Sequence, residues 1–180
     1  DDCGLIHPYV VQNNITNLAF LLERGNRIGY HVRAEQKCLI FKKPDREASP
    51  SFKITADAYN ANGRLVIENY DINPNTANCV QRVTVRSYDP GAADKIFASA
   101  DQTVSMGGKT DAGTAAAKNN PDTTMQISYE NVYSEEEAQI LADAKLAFLA
   151  DEFITGKVRI EGNGNVKVGM IVSLEDIGEE

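Results

Sequence analysis

Ser134 stands three residues ahead of Glu137, and behind them runs the alanine-rich stretch AQILADAKLAFLA. A serine hydroxyl can accept an orphan N–H of a first helical turn, and a glutamate at the third position can reach back, so the pair reads as a capping box. Glu135 and Glu136 add negative charge at the positive end of the helix dipole. Ala138, Leu141, Ala142, Phe148 and Leu149 recur at helical spacing and supply an apolar face. The pattern predicts a helix over 134–150, lying close against its neighbour because alanine has so little bulk. Almost everything else in the second half of the chain alternates with period two. The fold must therefore seat one strong helix on a sheet.

The alternating segments are RLVIENYDI, CVQRVTVRSYD, DKIFASAD and TTMQISYENV, followed after the helix by KVRI and MIVSL. Val83 and Val85 face one way, and Arg82, Thr84 and Arg86 the other, which suits an antiparallel sheet covered on one side. Residues 103–123 hold Gly, Ala, Thr and Asn with few large side chains, and are read as a flexible loop. Asn163-Gly164-Asn165 is read as the turn of a tight hairpin.

The first sixty residues have another character. NNITNLAFLLERGNRIG predicts a helix capped by Thr16 or Asn14, with Ile15, Leu18, Ala19 and Leu22 on its buried face and Gly25 or Gly29 at its end. IGYHVRAEQKCLIFKKP predicts a hairpin turning at Ala34-Glu35-Gln36, and Phe52 to Ala58 a further strand. Asn60-Ala61-Asn62-Gly63 reads as a turn. The expected organisation is a small α+β domain over 1–60, helix plus hairpin, and a β-barrel-like domain over 61–180. The fold class is α+β, mainly β.

Several chemistries find no support. The chain has 180 residues and a formal net charge of −8, with no basic stripe beyond Lys42-Lys43, so specific nucleic-acid binding is not expected. No apolar run approaches the roughly 20 residues of a membrane-spanning helix. No charged leader with an apolar stretch opens the chain. It begins Asp1-Asp2 without Met, which reads as a piece of a longer protein. Cys3, Cys38 and Cys79 are odd in number and widely spaced, which suits a reducing compartment and leaves a Cys3–Cys79 bridge open; Cys38, inside KCLIF, is expected to be buried. His7 and His31 lie in no nucleophile–base setting. EGNGNVKVG leads into a strand, where a phosphate cradle needs a helix N-terminus. Glu135, Glu136 and Glu137 fan around a helix and form no facing acid–base pair, while Asp71, Asp89 and Asp101 suit turns at strand ends. The expectation is a chain that is not an enzyme, with no catalytic, cofactor-binding or metal-binding residues.

Two stretches, Val10 to Pro44 and Tyr133 to Gly178, resemble the hub proteins of contractile injection machines: the phage late-control D tail proteins and the VgrG-like spike proteins of type VI secretion. Gln12, Asn14, Thr16, Leu18, Phe20 and Leu21 stand in place of that family's Q-N-x-T-D-L-x-F-L segment, with Asn17 where an acid is usual. Val85-Arg86-Ser87-Tyr88-Asp89-Pro90 resembles its V-R-G-W-D-P strand end. Ser134 to Ala142 resembles its S-x-x-E-A-x-x-x-A helix, and Gly156 to Leu174 its glycine-punctuated tail without the two prolines.

The resemblance implies an α/β insert beside a tube-like antiparallel β-barrel. It further implies a homotrimer in the complete hub, contacts to tail-tube and needle or spike proteins, and a place in a virion tail baseplate or an injection apparatus assembled in the bacterial cytoplasm. The alternative is a small-ligand- or glycan-binding β-domain of a secreted or surface protein, disfavoured because the chain has no Trp on which a sugar could stack. A hydrolase ranks third. Ser134→Ala should destabilise the fold by about 1 kcal/mol, because the helix loses its capping acceptor; an unchanged denaturation midpoint would count against a helix start at this position.

Overall fold

The computed structural model describes residues 3–7, 9–58, 64–101, 110–119, 122–128 and 131–178. Three helices and nine strands follow one another: α1 (Asn17–Arg27), β1 (His31–Glu35), β2 (Cys38–Lys42), β3 (Phe52–Thr55), β4 (Leu65–Pro74), β5 (Arg82–Asp89), β6 (Asp94–Ala100), α2 (Ala112–Asn119), β7 (Thr124–Ile127), α3 (Glu135–Asp151), β8 (Ile154–Ile160) and β9 (Val172–Glu175). The class is α+β, mainly β, as expected.

The main core lies between α3 and a three-stranded sheet ordered β6-β5-β7. Val83, Val85, Ile96, Ala98 and Ile127 meet Ala138, Leu141, Ala142 and Leu146 there. Val83 and Val85 are fully buried, as their alternation predicts, but Thr84 between them, expected on the uncovered face, is buried as well. Alanine governs the approach: Ala138 and Ala142 have no exposed surface, so the helix sits directly on the strands. Phe148 departs from the expected buried face. It is 52 % exposed and carries the Lys145 ammonium over its ring, while its neighbour Leu149 packs against the core.

The second sheet runs β8-β4-β3-β9 and is joined to no strand of the first. The strands form a curled half-barrel rather than a closed tube. Pairing is antiparallel for β1–β2, β4–β8 and β5–β6, but parallel for β3–β4, β3–β9 and β5–β7. Parallel partners need a long crossover, and for β5 and β7 it runs through β6 and α2. β3 and β4 pair across position 60, so the expected boundary there falls inside one sheet. The turn expected at 60–63 lies outside the described residues.

Part of the expected loop over 103–123 is the helix α2. Asp111 starts it by accepting from Thr114 N at 2.9 Å, and alanine has the highest helix propensity. Ala112 and Ala116 then bury against Cys79, Ala150 and Phe153. The bulk that orders this segment comes from other parts of the chain. Residues 103–109 and 120–121 of the same stretch lie outside the described residues.

Thr16 caps α1, accepting from Ala19 N at 3.2 Å. The helix ends in a Schellman motif: Tyr30 N donates to Gly25 O at 2.8 Å and Gly29 N to Asn26 O at 3.3 Å, with Gly29 at φ +70°. Gly25 stays inside the helix because a Cβ there would stand 2.8 Å from Val32 Cγ2. The hairpin turns one residue later than expected, at Gln36-Lys37, with Gln36 at φ +54°. Cys38 is exposed rather than buried, because β1 and β2 form an isolated two-stranded sheet; all three cysteines are free. The expected hairpin through Asn163-Gly164-Asn165 is a local turn only, for the strands on either side pair with β4 and β3 and not with each other.

The direct seating of α3 gives a test. Ala138→Leu should destabilise by about 1–3 kcal/mol through overpacking against the sheet. Wild-type stability in a denaturant titration would show that the helix does not sit so close.

Candidate assembly surfaces

α3 begins on the predicted cap, with Ser134 Oγ accepting from Glu137 N at 3.1 Å. The return half of the capping box is different. Glu137 Oε2 accepts from Tyr133 N at 3.0 Å, and Oε1 takes Arg27 Nη2 at 2.9 Å and Arg27 Nε at 3.3 Å. Arg27 also donates to the Asn131 carbonyl. Glu137 is 5 % exposed, a buried carboxylate shared between two helices 110 residues apart in sequence. Sequence reasoning saw the cap but not Arg27, since nothing local marks a partner so distant.

The outer face of α1 carries the largest correction. Ile15, Leu18 and Leu22, expected inside, are exposed, Leu18 by 58 %. The helix turns its Gly25 side inward against Val32 and Phe41 instead. Ile6, Tyr9, Val10 and Val11 of the preceding segment are also exposed. Val168, Met170 and Val172 are also exposed around edge strand β9, and Ile154 opens edge strand β8. In general, large contiguous apolar patches mark interaction sites, and unpaired strand edges are templates for further pairing.

His31 is exposed on β1, and His7 Nε2 lies 4.0 Å from Glu137 Oε1, an oxygen already held by Arg27. Among the described residues no group of three His, Cys, Asp or Glu side chains could hold a metal ion. Also among them, no helix is long and apolar enough to cross a membrane. Burial, and then the charge of Glu152, pushes the Cys79 thiol up. A groove of about 490 Å³ runs between the α1 terminus and α3, with Tyr30, His31, Arg46 and Phe148 in its wall. Arg46 Nη2 is paired with Asp151 Oδ2 at 2.7 Å there, so its main cation is already compensated.

A family model described as the Alg8 N-terminal domain matches residues 1–180. No curated protein matches the chain. Among solved structures, the tail protein from Neisseria meningitidis MC58 is similar in fold, with a TM-score of 0.54 and 16 % sequence identity. The match covers 93 % of this chain and 47 % of that one, so the chain spans about half the length of the tail protein.

Proposed function

The chain belongs to the Alg8 N-terminal domain family, and for a member built in this way we propose a structural role in a contractile injection apparatus. In this reading it is part of a baseplate hub or spike of a phage or prophage tail, or of a type VI secretion system, and adapts a tube to a needle. It acts as an assembly part and not as an enzyme. The observation that carries the reading is the unfinished half-barrel: β8 and β9 are open edges, and exposed Ile154, Val168, Met170 and Val172 lie along or beside them. The fold likeness to a tail protein of about twice the length supports it. Late-control D or VgrG-like identity, a homotrimer, and contacts to tail-tube and needle proteins are the finer parts of the same proposal. So is a location in a virion tail baseplate or an apparatus assembled in the bacterial cytoplasm.

Closed rings are the common outcome when a protein repeats one contact by rotation. The test is light scattering after size exclusion on the longest polypeptide that carries this chain, followed by electron microscopy of the main peak. The expected result is a trimer with a central opening. A monomer at high micromolar concentration that binds no tube or needle protein would contradict the proposal. Binding to a glycan array by that monomer would instead favour the ligand-binding alternative.

A further inference from the structure

The loop between β8 and β9 carries Asn163-Gly164-Asn165, hairpin chemistry that the strand pairing does not use. The backbone closes a local turn there, with Val166 N donating to Asn163 O at 3.2 Å. Asn163 is half-buried and Gly164 exposed. The Asn163 side chain folds back on the turn, and its Oδ1 accepts from Asn165 N at 2.9 Å. Gly164 N–H makes no hydrogen bond to any described residue, and a Cβ on Gly164 would meet nothing within 4 Å.

Two other asparagines show what sets this one apart. Asn75 makes the same side-chain contact, its Oδ1 accepting from Ala77 N at 2.9 Å, but a branched threonine follows it. Asn165 is followed by valine, whose N–H is already committed to Asn163 O. Of the three, Asn163 alone combines a donor on its side-chain oxygen with a following glycine whose N–H is free.

We propose that Asn163 is a site of spontaneous modification, in which the backbone nitrogen of Gly164 attacks the side-chain amide of Asn163. Solvent hydroxide removes the Gly164 amide proton, and a bond forms from that nitrogen to Asn163 Cγ. The Cγ–Nδ2 bond then breaks, and Nδ2 takes a proton from water and leaves as ammonia. A cyclic succinimide remains. Water opens it at either carbonyl, giving aspartate or isoaspartate. No electron is transferred, and the co-reactants are water and hydroxide. Negative charge develops on Oδ1 during the attack, where Asn165 N–H already points, so the hydrogen bond that shapes the turn also stabilises the reacting state. Glycine leaves the approach unobstructed, whereas a β-branched neighbour is stiff and crowds the ring. The product places a new carboxylate in the loop that joins β8 to β9, and the iso form also lengthens the backbone there. The inference does not rest on the injection-apparatus reading.

The test is peptide mapping by mass spectrometry on the folded full chain, incubated in neutral and in mildly alkaline buffer. Asn163 should convert with first-order kinetics, faster in the alkaline buffer, and Asn75 and Asn165 should convert at least about tenfold more slowly. Gly164→Ala, whose methyl enters open space, should keep the unfolding midpoint and slow conversion at least about tenfold. The other Asn-Gly pair, Asn62-Gly63, lies outside the described residues and falls on a different tryptic peptide, so the two are read separately. Asn163 left as the amide in the folded chain, whether or not it converts in urea, would overturn the proposal. So would Asn75 or Asn165 converting as fast as Asn163, or Gly164→Ala converting at the wild-type rate with its fold intact.

Discussion

Glu137 carries the interaction on which the arrangement of the fold depends. Its carboxylate is buried at the head of α3, and every bond it makes ties that helix to something else: Arg27 at the end of α1 and the backbone of Tyr133. Desolvating a carboxylate is tolerable only when its lone pairs are filled, and here three donors reach it. Arg27 in turn donates to the Asn131 carbonyl, so the segment leading into α3 is held by the same pair. α3 is seated on the three-stranded sheet by apolar packing, and the charge pair then fixes where α1 lies relative to that core. Gly29 against Ala144 completes the contact, since a Cβ on Gly29 would stand 3.1 Å from Ala144 Cβ.

What this architecture leaves uncovered is as regular as what it buries. One face of the three-stranded sheet is covered by α3, and among the described residues the four-stranded sheet ends in the edge strands β8 and β9. α1 docks through its small-residue side and exposes its leucines. Folding this chain alone therefore satisfies the core and leaves both a strand edge and an apolar helix face exposed. That division of labour is what an assembly part requires, and it is the physical content of the proposed role.

Local signals in the sequence read well. The Ser134 cap, the Thr16 cap, the alternation at Val83 and Val85, and the β-rich class all follow from side chains acting on neighbours a few residues away. Readings that needed the rest of the molecule did not transfer. The apolar spacing of Ile15, Leu18 and Leu22 marks a helix face but not whether anything covers it. α2 looked too poor in bulk because its order depends on Cys79 and Phe153, supplied from elsewhere. Asn163-Gly164-Asn165 has hairpin chemistry, but β8 and β9 find β4 and β3 first, across long sequence separation. At the candidate surfaces, the exposure of Val168 is a tertiary fact with no local sequence mark.

Native-state hydrogen exchange on Glu137→Gln tests most directly whether the buried carboxylate holds α1 to the core. Removing one partner of a buried ion pair costs about 3–5 kcal/mol where the other stays desolvated. The amides of α1 and its Schellman turn should lose protection strongly, while those of β5 and β6 keep theirs up to the limit set by global unfolding. Equal loss across both groups, or unchanged protection in α1, would contradict the account.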